Sequence, residues 1–384
     1  MSGLKDERLE RIELFEVRSR YPRRIGRNAR LLDHGTGPTE TAVVLRTGSG
    51  ATGWGLLTSE SPASREREAG EATVETARRL VGRPIGDLFD PQIGVIDNAA
   101  LPLDAALHDL AGVILGVPVY VLLGGRGRPR VPCYDGAIYQ ADLDPPESPV
   151  GTDAVLTCCA DDYALGFRAF KLKIGRGYRW LETEAGRRRD IEVTRAVRDG
   201  FPDCAILVDA NDGYTAGGFA AYLDAVLDCN LYWIEEPFPE NEPDLVALRS
   251  ALTTAGVSAL IAEGEAPIAE DEDQASIEHR FLELAGKGLV DVALFDVLGY
   301  GITPWRHLMP RLVELGVKAS PHAWGSPLKT FYASQLAAGL GNIPTVEGVP
   351  GETDGVDTSG YRLASGLLSL PTSPGFGLSL AGCG

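Results

Sequence analysis

Hydrophobic positions along this chain follow two rhythms. Between Arg11 and Gly55 they alternate with polar ones in IELFEVR, TAVVLRT and GWGLL, the period-two pattern of half-buried strands. An arginine-rich loop, RSRYPRRIGRNARLLDHG, separates the first two. From about Ser64 to Leu123 the spacing turns helical and ends in ALHDLAGVILGVPVYVLLGG. This predicts an α+β unit over residues 1–127, bounded by GGRGRP at 124–129.

Beyond it, short apolar runs recur with helix-patterned text between them. The strand candidates are VPCYDG (131–136), AFKLKIG (169–175), AILVDAN (205–211), LYWIEEP (231–237), ALIAEGE (259–265), VALFDV (292–297), VKASPHA (317–323) and IPTVEG (343–348). Eight strands and seven crossovers predict a β/α barrel over 128–350. The tail 351–384, rich in Gly, Ser and Pro, is expected to return to the N-terminal unit. One motif competes with this reading: GSGATG (48–53) matches the dinucleotide fingerprint G-x-G-x-x-G. That fingerprint works where a strand runs into a helix whose N-terminus receives the pyrophosphate. Here the continuation is WGLL, so a hairpin turn is expected and no nicotinamide site.

The formal net charge of −18 disfavours nucleic acid and anionic membranes as partners. The most apolar uncharged stretch, Leu110 to Gly125, is shorter than the roughly 20 residues of a membrane span and is interrupted by Pro118. MSGLKDERLERIEL has no apolar signal core, so a cytoplasmic location is expected. The six cysteines show no CxxC or finger spacing and read as reduced structural residues.

Asp209, Glu235 and Glu265 each end an apolar run, 26 and 30 residues apart, about one strand-plus-helix unit. At barrel period they converge on one mouth, where three carboxylates require a cation; hard oxygen ligands favour Mg²⁺. Lys171 and Lys173 in FKLKIG share a strand face, so both ammonium groups are expected in that mouth. Each disfavours the other's charge, which predicts a depressed pKa for one of them. Asp296 and His322 end the sixth and seventh strands, where the acid can fix the tautomer of the imidazole and raise its basicity. Glu347 ends the eighth.

With KLK at 171–173, VDAN at 208–211, IEEP at 234–237, GE at 264–265, Asp296, His322 and Glu347 in order on successive strands, the chain resembles the enolase superfamily and its mandelate racemase subgroup over nearly its whole length. The resemblance implies a modified (β/α)₇β TIM barrel, an α+β capping domain completed by the C-terminal segment, and a small-molecule carboxylate substrate. It implies one Mg²⁺ per subunit on Asp209, Glu235 and Glu265, with Lys173 and His322 as acid/base catalysts on opposite faces of the substrate. Asp296 would orient His322, Lys171 would tune Lys173 and contact the substrate carboxylate, and Glu347 would bond it too. Asn211, Arg20 and Tyr139 are further expected substrate contacts, with Tyr134 and Asp135 near the first strand. Relatives are commonly dimers to octamers, so a homo-oligomer is expected.

Two departures stand out. Glu263 and Glu265 are expected on the same strand face where one acid is usual, and Gly299-Tyr300-Gly301 replaces a common paired glycine. The sixth strand, FDVLGYG, lacks the lysine of the muconate-lactonising branch. The expected reaction is dehydration of a sugar acid to a 2-keto-3-deoxy acid, served by the arginines of the 18–30 loop if it covers the mouth. The alternatives are a racemase, epimerase or lactone cycloisomerase on the same metal site, and a catalytically silent barrel acting as a binding protein.

Overall fold

The computed structural model describes residues 3–57, 78–145, 148–265 and 274–381. Cys383 and the 64–77 part of the expected helical stretch lie outside them. Leu9–Arg20 pairs antiparallel with Thr39–Thr47, which pairs antiparallel with Thr52–Leu56. GSGATG contributes the turn of this hairpin, with Gly50 at φ 92° and its N–H on the Thr47 carbonyl. The helix Asp104–Leu115 lies directly on the third strand. Only glycine permits this: a Cβ on Gly53 would sit 2.3 Å from the Leu110 nitrogen.

One buried acid ties three parts of this unit together. Asp109, on that helix, accepts from the backbone N–H of Trp54 at 2.9 Å and of Phe376 at 2.7 Å. Burial pushes its carboxyl up to about 7, against those two donors. The unfolded chain releases that proton near pH ~3.9, so the folded state holds an extra proton between the two values and stability falls as pH rises through that window. Asp109→Asn carries no titrating proton. Its melting temperature is therefore expected to fall less than that of the unaltered protein between about pH 5 and about pH 7. Melting curves across that range check this; an unchanged slope would refute it.

The barrel strands are Arg130–Ile138, Ala169–Lys173, Ala205–Asp209, Leu231–Glu235, Leu260–Glu263, Val292–Ala293, Lys318–Ala319 and Val346–Gly348. They are parallel, and the eighth closes on the first through Val346 opposite Cys133. The helices between them are Thr152–Leu165, Thr183–Gly200, Ala216–Ala225, Glu242–Ala255, Gln274–Gly286, Ile302–Leu315 and Pro327–Leu340. Along each strand the side chains divide between two cores. Tyr134, Leu207, Trp233, Ala262, Val292 and Leu294 fill the barrel interior. Phe170, Leu172, Ile206, Val208, Ile234, Ile261 and Ala293 pack outward against the helices.

The sixth and seventh strands are shorter than expected. Their backbone bonding continues, with Ser320 N–H on Ala293 O at 2.9 Å and His322 N–H on Phe295 O at 3.1 Å. Pro321 between them has no N–H to donate on its other side, where the Ala319 N–H meets the Asn342 carbonyl at 3.1 Å. Past Gly351, Glu352–Thr353 pairs with Ser19 and Arg20 of the N-terminal sheet. Arg362–Ala364 and Leu367–Ser369 form a hairpin that joins the outer end of the first barrel strand. Among the described residues five cysteines are free, and no helix is long and apolar enough to cross a membrane.

Candidate active site at the mouth of the barrel

The strand register sets Lys173 beside Asp209 and Asp209 beside Glu235. Lys171, fully buried, places Nζ 2.6 Å from Glu235 Oε1, 2.9 Å from Glu347 Oε1 and 3.4 Å from Asp209 Oδ2. Lys173 donates to Asp209 Oδ2. Glu235 Oε2 accepts from Trp233 Nε1 at 3.1 Å. Gly136 makes room for Glu347, since a Cβ there would lie 2.4 Å from Glu347 Oε1.

Across the mouth, His322 Nε2 lies 2.6 Å from Glu265 Oε1 and 3.6 Å from Glu347 Oε2, while Nδ1 lies 3.4 Å from Asp296 Oδ2. The structure thus brings Lys171, Lys173, Asp209, Glu235, Glu265, Asp296, His322 and Glu347 into one charge network. Burial opposes the charge on Asp209, Glu235 and His322, and their partners decide the outcome. Against burial, Lys173 and Lys171 hold the Asp209 carboxyl below the usual carboxylate range. Burial pushes Glu235 well above it even beside Lys171. Burial would depress His322, but Glu265 and Glu347 raise it well above the usual imidazole value.

Two expectations need correction here. Neighbouring cations were expected to depress one lysine; both are raised, because against burial the surrounding acids act together, led by Glu235 and Glu347 at Lys171 and by Asp209, with Glu265 and Glu235, at Lys173, where they also overcome Lys171. Glu263 and Glu265 do not share a face. Ala262 points inward and Ile261 outward, so strand alternation sends Glu263 outward, where it is buried with Oε1 unpartnered. The strand ends at Glu263, and Gly264 at φ 121° breaks the alternation and returns Glu265 to the mouth. Acids crowd around Glu263, and burial together with Glu240 and Glu236 pushes its carboxyl well up.

The arginine-rich loop does cover the mouth, through other side chains than expected. Ile25 packs with Ala137, Tyr139, Tyr21 and Trp324. Tyr139 lies tilted against Trp324 with ring centroids 4.8 Å apart, and its ring lies 5.4 Å from Lys173 Nζ. The arginines are latches: Arg23 grips Asp162 at 2.7 Å, Arg27 Asp144 at 2.6 Å and Arg30 Asp212 at 2.8 Å. Arg20 is not brought into the site; it is exposed and pairs with Asp354. Arg20→Ala is accordingly expected to cost under about 1 kcal/mol, whereas Arg23→Ala leaves Asp162 buried without its cation and costs roughly 3–5 kcal/mol. Denaturant unfolding of both variants measures the contrast. Asn211, at φ 45°, turns its amide 3.5 Å from Glu236 Oε2, and its own Oδ1 is buried without a partner.

Sequence reasoning missed His34. It accompanies the loop over the mouth, 4.6 Å from Tyr139, with Nδ1 bonded to Gly26 O at 2.7 Å. Burial and the nearby Lys173 keep its imidazole low. No strand end marks it, and its position follows from how the loop folds.

Among the described residues no three His, Cys, Asp or Glu side chains are gathered as a ready cation cluster. Asp209 and Glu235 are turned to the lysines and Glu265 to His322. The donor set nonetheless suits a hard cation. The three carboxylates come from consecutive barrel strands and the turn after the last of them, and Glu265 Oε1 is buried without an aligned donor.

Comparison with known proteins meets this geometry. The family model described as enolase C-terminal domain-like matches residues 155–382. A galacturonate dehydratase of Geobacillus sp., solved with D-galacturonate and 5-keto-4-deoxy-D-galacturonate, is 31% identical; the match covers 98% of this chain and 95% of that one at a TM-score of 0.85. A mandelate racemase/muconate lactonizing protein of Geobacillus sp., solved with magnesium and tartrate, is 30% identical over 100% of this chain and 95% of that one, at a TM-score of 0.87. A D-galactarolactone cycloisomerase of Agrobacterium fabrum is 27% identical over 303 residues, 75% of this chain and 73% of that protein. Fold and comparisons agree on the class, a capped barrel of the mandelate racemase/muconate lactonizing type. The chain belongs to the enolase superfamily.

Proposed function

We propose that the protein removes the proton α to the carboxylate of a sugar acid and expels a β-hydroxyl, giving a 2-keto-3-deoxy acid. The observation that carries this is the placement of Lys173 and His322 on opposite sides of one acid-lined mouth, the lysine on the second strand and the histidine after the seventh. The galacturonate dehydratase at 31% identity supports the choice of reaction.

Asp209, Glu235 and Glu265 would hold Mg²⁺, which when bound neutralises negative charge building on the substrate carboxylate. With Asp209 engaged as a ligand, Lys173 would be released from the pairing it makes with that carboxylate here. Lys171 and Glu347 position the substrate carboxylate. One of Lys173 and His322 takes the α-proton, and the C–H electron pair moves into the carboxylate to form an enediolate. The other donates a proton to the β-oxygen as its C–O bond breaks, so water leaves. The enol then tautomerises to the ketone. A lysine or histidine base working beside magnesium is the established pattern of enolase-superfamily sites. Tyr139 and Asn211 contribute substrate contacts, Tyr139 from the aromatic wall above Lys173.

A second reading, lactone cycloisomerisation on the same enediolate, is supported by the likeness to the D-galactarolactone cycloisomerase. A screen of mono- and di-acid sugars with Mg²⁺, beginning with D-galacturonate, separates them when read by keto-acid formation and by α-proton exchange in D₂O. Keto acid from at least one acid is the expected result. Ring opening or inversion with exchange and no keto acid would replace dehydration by the second reading or by racemisation. Neither keto acid nor exchange with any acid would remove the proposal.

A further inference from the structure

Asp296 has a closer cationic partner than the histidine it faces. Its Oδ1 accepts from the N–H groups of Leu298 at 2.9 Å and Gly299 at 2.7 Å. Its Oδ2 lies 2.9 Å from Lys329 Nζ and 3.4 Å from His322 Nδ1. With Oδ1 pinned by two backbone donors, the carboxylate has one freedom left: to pivot about Oδ1 and carry Oδ2 toward or away from the imidazole. Lys329 Nζ bonds the oxygen that such a pivot would move.

The lysine is itself held from several directions. It stands in the first turn of Pro327–Leu340, with its side chain 18% exposed. Asp296 and Glu40, the latter on the second strand of the N-terminal sheet, are the two acids that act on it most strongly, and Glu347 acts on it less. Glu40, Asp296, Gly299 and Lys329 line a cavity of about 90 Å³ between that sheet and the barrel. The space is too small for a sugar acid. The contact is a support built behind His322, on the side away from Glu265.

We infer that Lys329 is a positioning residue for His322: it fixes Asp296 Oδ2 opposite Nδ1, and so aims Nε2 into the mouth. This rests on the reading of His322 as one of the two acid/base groups. The test uses the full-length Mg²⁺-loaded protein and two variants, Lys329→Met, which removes the cation, and Lys329→Arg, which keeps one. The first readout needs no substrate. The ¹H–¹⁵N signals of the His322 ring, assigned by their loss in His322→Asn, are expected to move in Lys329→Met and to return toward their original positions in Lys329→Arg.

The second readout is α-proton exchange in D₂O with Mg²⁺, measured with D-galacturonate and with its C5 epimer, which present the α-proton to opposite faces. In a Lys173→Ala background only His322 can exchange, with the epimer whose α-proton faces it; in a His322→Asn background only Lys173 can, with the other epimer. Lys329→Met is expected to cut exchange by at least about tenfold in the first background and by less than about twofold in the second, the scale of an outer-shell partner. Lys329→Arg should recover most of the loss. Equal losses in both backgrounds, or an unmoved His322 spectrum, would overturn the inference. Absence of both exchange and keto acid in the unaltered protein would instead count against the proposed reaction, and the spectrum would still decide the role of Lys329.

Discussion

Lys173→Ala and His322→Asn are each expected to lose net turnover by about 10²–10⁴-fold, the usual contribution of a positioned acid or base. The two variants are not equivalent. Each keeps one base on one face of the α-carbon. The variant that retains the proton-abstracting group is expected to exchange the α-proton with D₂O, while forming no keto acid. The other should do neither. The asymmetry therefore identifies which residue begins the reaction, a point that the static charge network leaves open because both groups are raised by nearby acids. Inverted substrate from the unaltered protein, without keto acid, would mark a racemase on the same pair. Near-normal turnover in both variants would sink the two-base assignment.

How much of this was legible in the sequence depended on whether a residue's direction is set by its own strand. Asp209, Glu235, Lys171 and Lys173 lie within regular parallel ladders, so the period of two and the barrel spacing were enough to bring them together. Glu263 and Glu265 fall where the ladder ends, and the direction of Glu265 depends on a backbone angle at Gly264 that no alternation rule contains. The arginines of the 18–30 loop read as a substrate clamp because their partners were invisible: Asp144, Asp162, Asp212 and Asp354 come from four distant segments. Lysine basicity was misjudged for the same reason. The sequence shows the neighbouring cation two residues away, whereas Asp209, Glu235 and Glu347 arrive only through the fold. His34 and Lys329 belong with these, since each touches its neighbours in the site across long chain separations.

The metal assignment gives the other large effect. Asp209→Asn or Glu235→Gln is expected to weaken Mg²⁺ binding by more than the roughly 10–100-fold typical of a mere outer-shell partner, and to abolish turnover with it. Calorimetry measures the affinity directly, independent of any substrate. Melting curves give a second check, because a ligand that binds only the folded state at 100 times its Kd stabilises it by about 2.7 kcal/mol, and that increment should vanish in the variants. Without Mg²⁺ the two should also differ from each other. Asp209→Asn removes the charge that Lys173 pairs with, whereas Glu235→Gln leaves Lys171 still beside Glu347 at 2.9 Å. The larger loss of stability is therefore expected in Asp209→Asn. The fifth strand supplies the control. Glu263 faces away from the mouth and Glu265 into it, so Glu265→Gln should lose Mg²⁺ and Glu263→Gln should keep it. The reverse result would move the third ligand to Glu263, and unchanged affinity in Asp209→Asn and Glu235→Gln would dismiss the carboxylate set altogether.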